Sequence, residues 1–292
     1  LGCAERINLG ARRAEALRPT RVHQRIEWLL PCARRAGIYN GRTMRIRAVV
    51  RTGWAWLIGT LATVGCTLPA LLISRLPGGD PVVHRMARLW GRLCIWGTGC
   101  PIRVEGLARL DLERRYVVMA NHQSALDIPA LMAVLPAAWR TVFWAKESLF
   151  RIPVLGWAMR ILGHMPIDRV NRSLAGRMVA VTLRRVEDER SVLVFPEETY
   201  GPGDRLLPFQ RGGFVFALKT RLEILPVGLL GTRTAHAPGS RLVSPATLTV
   251  RFGEPIPTAD VSVTDRAALT ERTRTAIECL CRDGLPGHGM PD

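Results

Sequence analysis

Tyr116-Val117-Val118-Met119-Ala120-Asn121-His122-Gln123-Ser124-Ala125-Leu126-Asp127, followed by the apolar run from Ile128 to Leu135, is the stretch that decides the architecture. Its first five residues are apolar and rich in aromatic and β-branched types, which predicts a buried strand. The apolar run that follows predicts a helix over Ala125 to Leu135. A strand that leaves through a polar turn into a helix is the unit from which α/β sheets are built, and their sites lie at the carboxyl ends of strands. His122 is thereby placed at a strand end and Asp127 near the first helical turn. Histidine titrates close to neutral pH and can take a proton from an alcohol. A carboxylate within reach of its second ring nitrogen fixes the tautomer and stabilises the imidazolium. Ser124 is the expected N-cap of the helix. The spacing alone also suits a histidine capping a strand and an aspartate at a positive helix terminus, so it needs support from elsewhere in the chain.

Outward from this unit, strands and helices alternate. Strands are predicted over Ile102 to Glu105, Tyr116 to Ala120, Thr141 to Ala145, Met165 to Asp168, Val192 to Phe195, Ile224 to Leu230 and Thr247 to Phe252. Helices are predicted over Ala125 to Leu135, Val154 to Leu162, Ser173 to Glu189, Gly212 to Thr220 and Thr264 to Cys281. The alternation predicts one α/β domain over residues 99–284, a mixed sheet with flanking helices. Residues 285–292, rich in glycine and proline, are expected to be a flexible tail.

The amino-terminal third reads differently. No charged residue occurs between Thr52 and Ser74, a length sufficient to cross a hydrocarbon core. Arg45, Arg47 and Arg51 with Trp54 and Trp56 mark one end, as at a cytoplasmic interface, but Arg75, Arg85, Arg88 and Arg92 follow the other. Pro69 weakens the case for a straight spanning helix. Pro81 to Trp96 is amphipathic and aromatic, so the pair over residues 44–98 is expected to form a re-entrant or monotopic hairpin; two buried helices of the domain are the alternative. Residues 1–43 are arginine-rich and begin at Leu1, while Met44 opens a segment that looks like an ordinary start. They are expected to be an over-extended reading frame, with a targeting peptide or a basic arm as alternatives.

The formal net charge of +17 comes from 41 basic residues, of which only Lys146 and Lys219 are lysines. A bias of this kind reads as the codon composition of a GC-rich bacterial genome. With no RNA-binding aromatic motif, zinc finger or helix-turn-helix pattern, nucleic acid is not an expected partner; anionic lipid is the better match for the charge. The seven cysteines form no CxxC pair or zinc spacing, and an odd count in a chain this long points to reduced thiols facing the cytosol.

Three further blocks accompany the histidine motif. The second is Ala145-Lys146-Glu147-Ser148-Leu149-Phe150 with Pro153, Gly156-Trp157 and Gly163-His164-Met165-Pro166-Ile167-Asp168-Arg169. The third is Val194-Phe195-Pro196-Glu197-Glu198-Thr199, and the fourth Ile224-Leu225-Pro226-Val227. In this order and spacing they resemble the glycerolipid acyltransferases, above all the 1-acyl-glycerol-3-phosphate acyltransferases, from about Trp90 to Gly253. The resemblance implies transfer of a fatty acyl group from acyl-CoA or acyl carrier protein to the free hydroxyl of a lysophospholipid acceptor, with phosphatidic acid as product. It implies His122 and Asp127 as the catalytic pair. Lys146, Arg169, Glu197, Thr199 and Arg205 are read as substrate-binding residues: Lys146 and Arg169 follow strand ends and suit a phosphate, with a surface ion pair as the alternative for Lys146, and Glu197 suits the acceptor site, with a salt bridge as the alternative. The resemblance implies no metal and no cofactor. It favours the membrane-anchoring hairpin and places the enzyme at the bacterial cytoplasmic membrane, its catalytic domain facing the cytoplasm.

Two positions depart from the family pattern Phe-Pro-Glu-Gly-Thr-Arg: Glu198 replaces the glycine and Tyr200 the arginine associated with substrate phosphate. Tyrosine carries no charge and no bidentate fork. Either another cation, among Lys146, Arg169, Arg205 and Arg211, meets the phosphate, or the head group differs. Three readings therefore stay open beside lysophosphatidate acylation: another lysolipid, an ornithine-type lipid, and an inactive membrane-bound scaffold. Ser124 lacks a GxSxG elbow and reads as a cap rather than a nucleophile. His164 and Asp168 echo His122 and Asp127, and four such groups could bind a metal, but the family implies none. Backbone N–H groups near the helix start are expected to stabilise the oxyanion.

Overall fold

The computed structural model describes residues 41–167, 190–262 and 264–282. The basic extension up to residue 40, the expected helix Ser173–Glu189 with Arg169, and the tail after Gly284 lie outside them. The chain divides into two compact units, Leu1–Arg45 and Ile46–Asp292, and the second carries the sheet and every side-chain contact that follows.

Its sheet contains β1 (Ile102–Glu105), β2 (Val117–Ala120), β3 (Val142–Lys146), β4 (Met165–Ile167), β5 (Val192–Val194), β6 (Ile224–Leu230) and β7 (Leu248–Phe252), in the order β1-β7-β6-β2-β5-β3-β4. β6, β2, β5, β3 and β4 are mutually parallel, whereas β7 runs antiparallel to β6 and carries β1 parallel to itself. The mixed sheet expected from the sequence is thus present, and each described strand falls within two residues of its predicted bounds.

Period-two alternation sends the strand side chains into two cores. Val118, Leu193, Leu225 and Val227 face one side with Leu131 and Trp139. Val117, Met119, Val192, Val194 and Ile224 face the other with Phe214, Phe216, Leu269 and Ile277. The first face is covered by α3 (Asp127–Val134) and α4 (Leu155–Ile161), the second by α5 (Arg211–Thr220) and α7 (Arg266–Cys281). A single helical turn, α6 (Thr232–Ala235), follows β6. Buried on both faces, β2 and β5 are continuous apolar runs.

Two long helices precede the sheet, α1 (Gly41–Ile73) and α2 (Gly79–Thr98). α1 continues through Pro69 without a break, although Pro69 counted against a straight spanning helix. The two form a hairpin: Trp90 Nε1 donates to Thr63 Oγ1 at 3.0 Å and Arg51 Nη1 to the Thr98 carbonyl at 3.0 Å. α2 also packs closely on α3. A Cβ at Gly91 would lie 2.7 Å from both the Ala133 nitrogen and the Pro129 carbonyl oxygen, so only glycine allows this approach. The alternative reading of a domain helix therefore holds for one half of the pair, since α2 buries Val83, Ala87 and Ile95. The other half is different. Ile46–Ile73 is long and apolar enough to cross a membrane, the one such helix among the described residues. Trp56, Leu61 and Leu72 on it are each about 60 % exposed or more (66 %, 59 % and 67 %). Five of the seven cysteines are described, and all five are free thiols.

Candidate active site

Parallel pairing brings the carboxyl ends of β2, β5, β3 and β6 to one edge of the sheet. Three of the sequence motifs leave the sheet there, and the fourth opens β6. His122 follows β2, and its ring Nδ1 lies 2.8 Å from Asp127 Oδ2. An ionised carboxylate can only accept, so Nδ1 carries the proton and Nε2 is left as the base. The Asp127 side chain is wholly buried and that of His122 is 9 % exposed.

The turn between them is tied by the same carboxylate. Asp127 Oδ2 also accepts the backbone N–H of Gln123 at 2.6 Å and of Ser124 at 2.8 Å. Ser124 is not the N-cap. The helix begins at Asp127 behind Leu126, while Ser124 Oγ accepts the Leu126 N–H at 3.2 Å and donates to the His236 carbonyl at 2.6 Å. The helix has no side-chain cap; the Asp127 carboxylate instead reaches back and ties the two N–H groups of the turn before it. This narrows the candidates for the oxyanion expectation. The N–H groups of Gln123, Ser124, Leu126 and Asp127 each have an acceptor within the turn, so these four are not free donors.

Glu197 follows β5 and is 3 % exposed. Its Oε1 accepts the His122 N–H at 2.9 Å and its Oε2 the Leu207 N–H at 2.8 Å. Burial pushes its pKa above the ordinary value, although the hydrogen bonds from Leu207 and His122 oppose the shift. Glu197 thus clamps the backbone of His122 to the loop after β5. That loop also supplies Phe195, stacked on the His122 ring at 4.0 Å, and Tyr200, tilted against it at 4.5 Å. Glu198 has φ +56, a left-handed conformation that glycine adopts without steric cost and glutamate does not.

The other predicted site residues stand further out. Lys146 ends β3 at the same sheet edge with its side chain exposed. Thr199 is exposed beside Tyr200. Arg205 is 74 % exposed and lies 3.8 Å from Asp204. Arg169 lies outside the described residues. Sequence reasoning missed Arg233, on α6. Its Nη1 donates to the Gly201 carbonyl at 2.8 Å, and Gly201 N–H donates to the His122 carbonyl at 2.7 Å. A cation just after the Ile224–Leu230 block was the available signal, but nothing in the sequence placed it against Gly201.

A cavity of about 470 Å³ lies between the hairpin and helices α3 and α4. Its walls are almost entirely apolar, including Trp56, Met86, Ile128, Met132, Leu155 and Met159. Tyr200 lines it as well, so one ring borders both the cavity and His122. His164 is buried in its wall against Phe143, and burial holds its pKa well below the usual imidazole range. A neutral ring accepting the Phe143 N–H at 3.3 Å is compatible with that apolar setting.

A sequence model of the family described as Acyltransferase matches residues 101–230. A 1-acyl-sn-glycerol-3-phosphate acyltransferase of Cocos nucifera is 33 % identical over 221 residues, covering 74 % of this chain and 69 % of that protein. The human 1-acyl-sn-glycerol-3-phosphate acyltransferase alpha is 31 % identical over 242 residues, 82 % of either chain. The crystal structure of PlsC, the 1-acyl-sn-glycerophosphate (LPA) acyltransferase of Thermotoga maritima, has a TM-score of 0.70 at 25 % identity, covering 81 % of this chain and 97 % of that one. Fold and sequence together define an α/β acyltransferase. Within that class, the chain belongs to the family of the 1-acyl-sn-glycerol-3-phosphate acyltransferases.

Proposed function

We propose that the protein transfers a fatty acyl group from an acyl thioester, acyl-CoA or acyl carrier protein, to the free hydroxyl of 1-acyl-glycerol-3-phosphate, giving phosphatidic acid. The observation that carries this reading is the His122–Asp127 pair, 2.8 Å apart, joined through Tyr200 to an apolar cavity. A cavity of this size lies within the range of ligand pockets, ~300–1,000 Å³, and apolar walls suit an acyl chain.

His122 Nε2 takes the hydroxyl proton as the oxygen attacks the thioester carbonyl. The new carbon–oxygen bond forms, the carbon–sulfur bond breaks, and the thiolate leaves with a proton returned by His122. Asp127 holds the tautomer and stabilises the imidazolium during the transfer. Glu197 acts through the backbone, keeping His122 in register with the Tyr200 loop. Lys146, at the same sheet edge, is assigned to the acceptor's phosphate as a point charge, together with Arg169. The exposed apolar face of α1 seats the domain on the cytoplasmic leaflet, so that acyl chains need not leave lipid.

The test is incubation of purified protein with labelled acyl-CoA or acyl carrier protein and a panel of lysolipids, followed by lipid extraction. Labelled phosphatidic acid, absent with His122→Ala, is the expected result. Failure to acylate any lysolipid would overturn the reading. Tyr200 favours one second reading: acylation of lysolipids without a terminal phosphate, and not of lysophosphatidate, would leave the chemistry and change the head group.

A further inference from the structure

On α2, Arg85, Arg88, Arg92 and Trp96 succeed one another at intervals of three or four and share one helix face. Arg85, Arg92 and Trp96 are exposed, and Arg88 is half-buried with its Nε donating to the Ala133 carbonyl at 3.3 Å. Between this face and β1 runs a groove of about 490 Å³. Arg88 and Arg92 form part of its wall, and Ile95, Trp96, Ile102 and Val104 make the wall apolar elsewhere. It shares no lining residue with the cavity beside His122.

Two guanidiniums on one side of a groove repel each other unless an anion lies between them. Among the described residues neither Arg88 nor Arg92 has a carboxylate partner. Glu105, at the end of β1, is paired with Arg251 at 2.7 Å. The groove also continues the lipid-facing surface. Trp96 meets Trp54 of α1 edge-on at 6.1 Å, and both rings are exposed. A free anion would have no use for the walls formed by Ile95, Trp96 and Val104. A molecule with a phosphate at one end and a hydrocarbon chain at the other satisfies both parts.

We propose that this groove binds one anionic phospholipid of the bilayer, its phosphate between Arg88 and Arg92 and the upper part of an acyl chain along Ile95, Trp96 and Val104. The site is separate from the reaction centre and does not depend on which lysolipid is acylated. It orients the domain on an anionic leaflet in a way that diffuse charge does not.

Native mass spectrometry of the full chain in detergent, with phosphatidylglycerol or phosphatidylcholine of matched chains, tests the site directly. One phosphatidylglycerol retained per chain, and little phosphatidylcholine, is expected. Arg88→Gln with Arg92→Gln should abolish the retained lipid. On vesicles containing phosphatidylglycerol the pair should weaken binding roughly fivefold per arginine, or about 25-fold together, and leave binding to phosphatidylcholine vesicles unchanged. Val104→Trp keeps both charges and fills the groove, so it should also expel the lipid. Arg221→Gln with Arg272→Gln removes the same charge from exposed positions elsewhere and should leave the retained lipid in place. The proposal is overturned if that control pair matches the groove pair, if Val104→Trp retains the lipid, or if millimolar inorganic phosphate displaces it as an equal competitor.

Discussion

His122 and Asp127 work as a unit because one carboxylate oxygen both orders the turn and meets the ring. Replacing His122 by alanine removes the base and leaves that turn to the Gln123 and Ser124 hydrogen bonds, which persist. Activity should fall by roughly two to four orders of magnitude while the thermal unfolding midpoint barely moves. Asp127→Asn keeps the size but offers Nδ1 a donor or forces the other tautomer, so its rate should be nearly as low. Retention of more than about a tenth of wild-type kcat by His122→Ala would rule out the general-base role. Glu197 has a signature of its own in stability. Its folded-state pKa is raised above the ordinary value of 4.5, chiefly by burial. The folded protein therefore binds that proton more tightly than the unfolded chain. Its contribution is fully present below about 4.5 and is lost as pH rises through the raised value. Glu197→Gln does not titrate, so the stability difference between variant and wild type should change across that window in this direction. Denaturant unfolding at a series of pH values measures it, and a difference independent of pH would refute the assignment.

At the scale of elements, the loop after β5 and the cavity under the hairpin each allow a sharp test. The loop holds Glu198 at φ +56, where a side chain costs about 1–2 kcal/mol and glycine adds chain entropy to the unfolded state. Glu198→Gly should therefore stabilise the protein by up to about 1 kcal/mol, which raises Tm by roughly 2–4 °C in a chain of this size. A loss of stability would mean that the Glu198 side chain makes a contact worth more than the strain. The cavity is bordered by Ala158 on α4. Ala158→Trp should reduce kcat/KM for the longest acyl donors relative to short ones by at least about tenfold, since one methylene of misfit in an apolar pocket is worth ~1–3 kcal/mol. An unchanged chain-length profile would detach the cavity from the acyl chain. Most of these elements were legible beforehand. β1 and β6 have the predicted bounds, because β1 alternates Ile and Val with charged residues and β6 is a short apolar run bounded by polar turns. The Ser124 cap was misread because the helix starts at Asp127, three residues later, and the Ser124 hydroxyl instead accepts the Leu126 N–H and donates to the His236 carbonyl, a partner 112 residues away.

Over the whole molecule, one face of α1 is apolar and unpartnered while α2 is built into the domain, so membrane binding and folding can be separated. Leu57, Leu61, Leu68 and Leu72 are between 48 % and 67 % exposed. Changing all four to serine should leave the α/β domain folded, as circular dichroism would show. It should weaken vesicle binding by about 10³-fold, taking roughly 1 kcal/mol for each half-exposed leucine that enters lipid. Undiminished sedimentation with vesicles would move the anchor elsewhere. Deleting residues through Gly99, by contrast, would strip α3 of the helix that Gly91 brings against it. Local pattern alone determined that this is an α/β chain, that His122 and Asp127 flank a strand-to-helix turn, and that an uncharged stretch near Thr52–Ser74 seeks an apolar partner; the resemblance of four blocks to the glycerolipid acyltransferases added the chemistry. Each of these depends on residues close in sequence or on side-chain type. Tertiary structure alone decided that β2 lies between β5 and β6, that Glu197 grips the backbone of His122, that Arg233 reaches Gly201, and that α2 serves the core as well as the hairpin. Those contacts join residues far apart along the chain, and their partners are chosen by sheet order and by close packing at positions such as Gly91, which no local periodicity encodes.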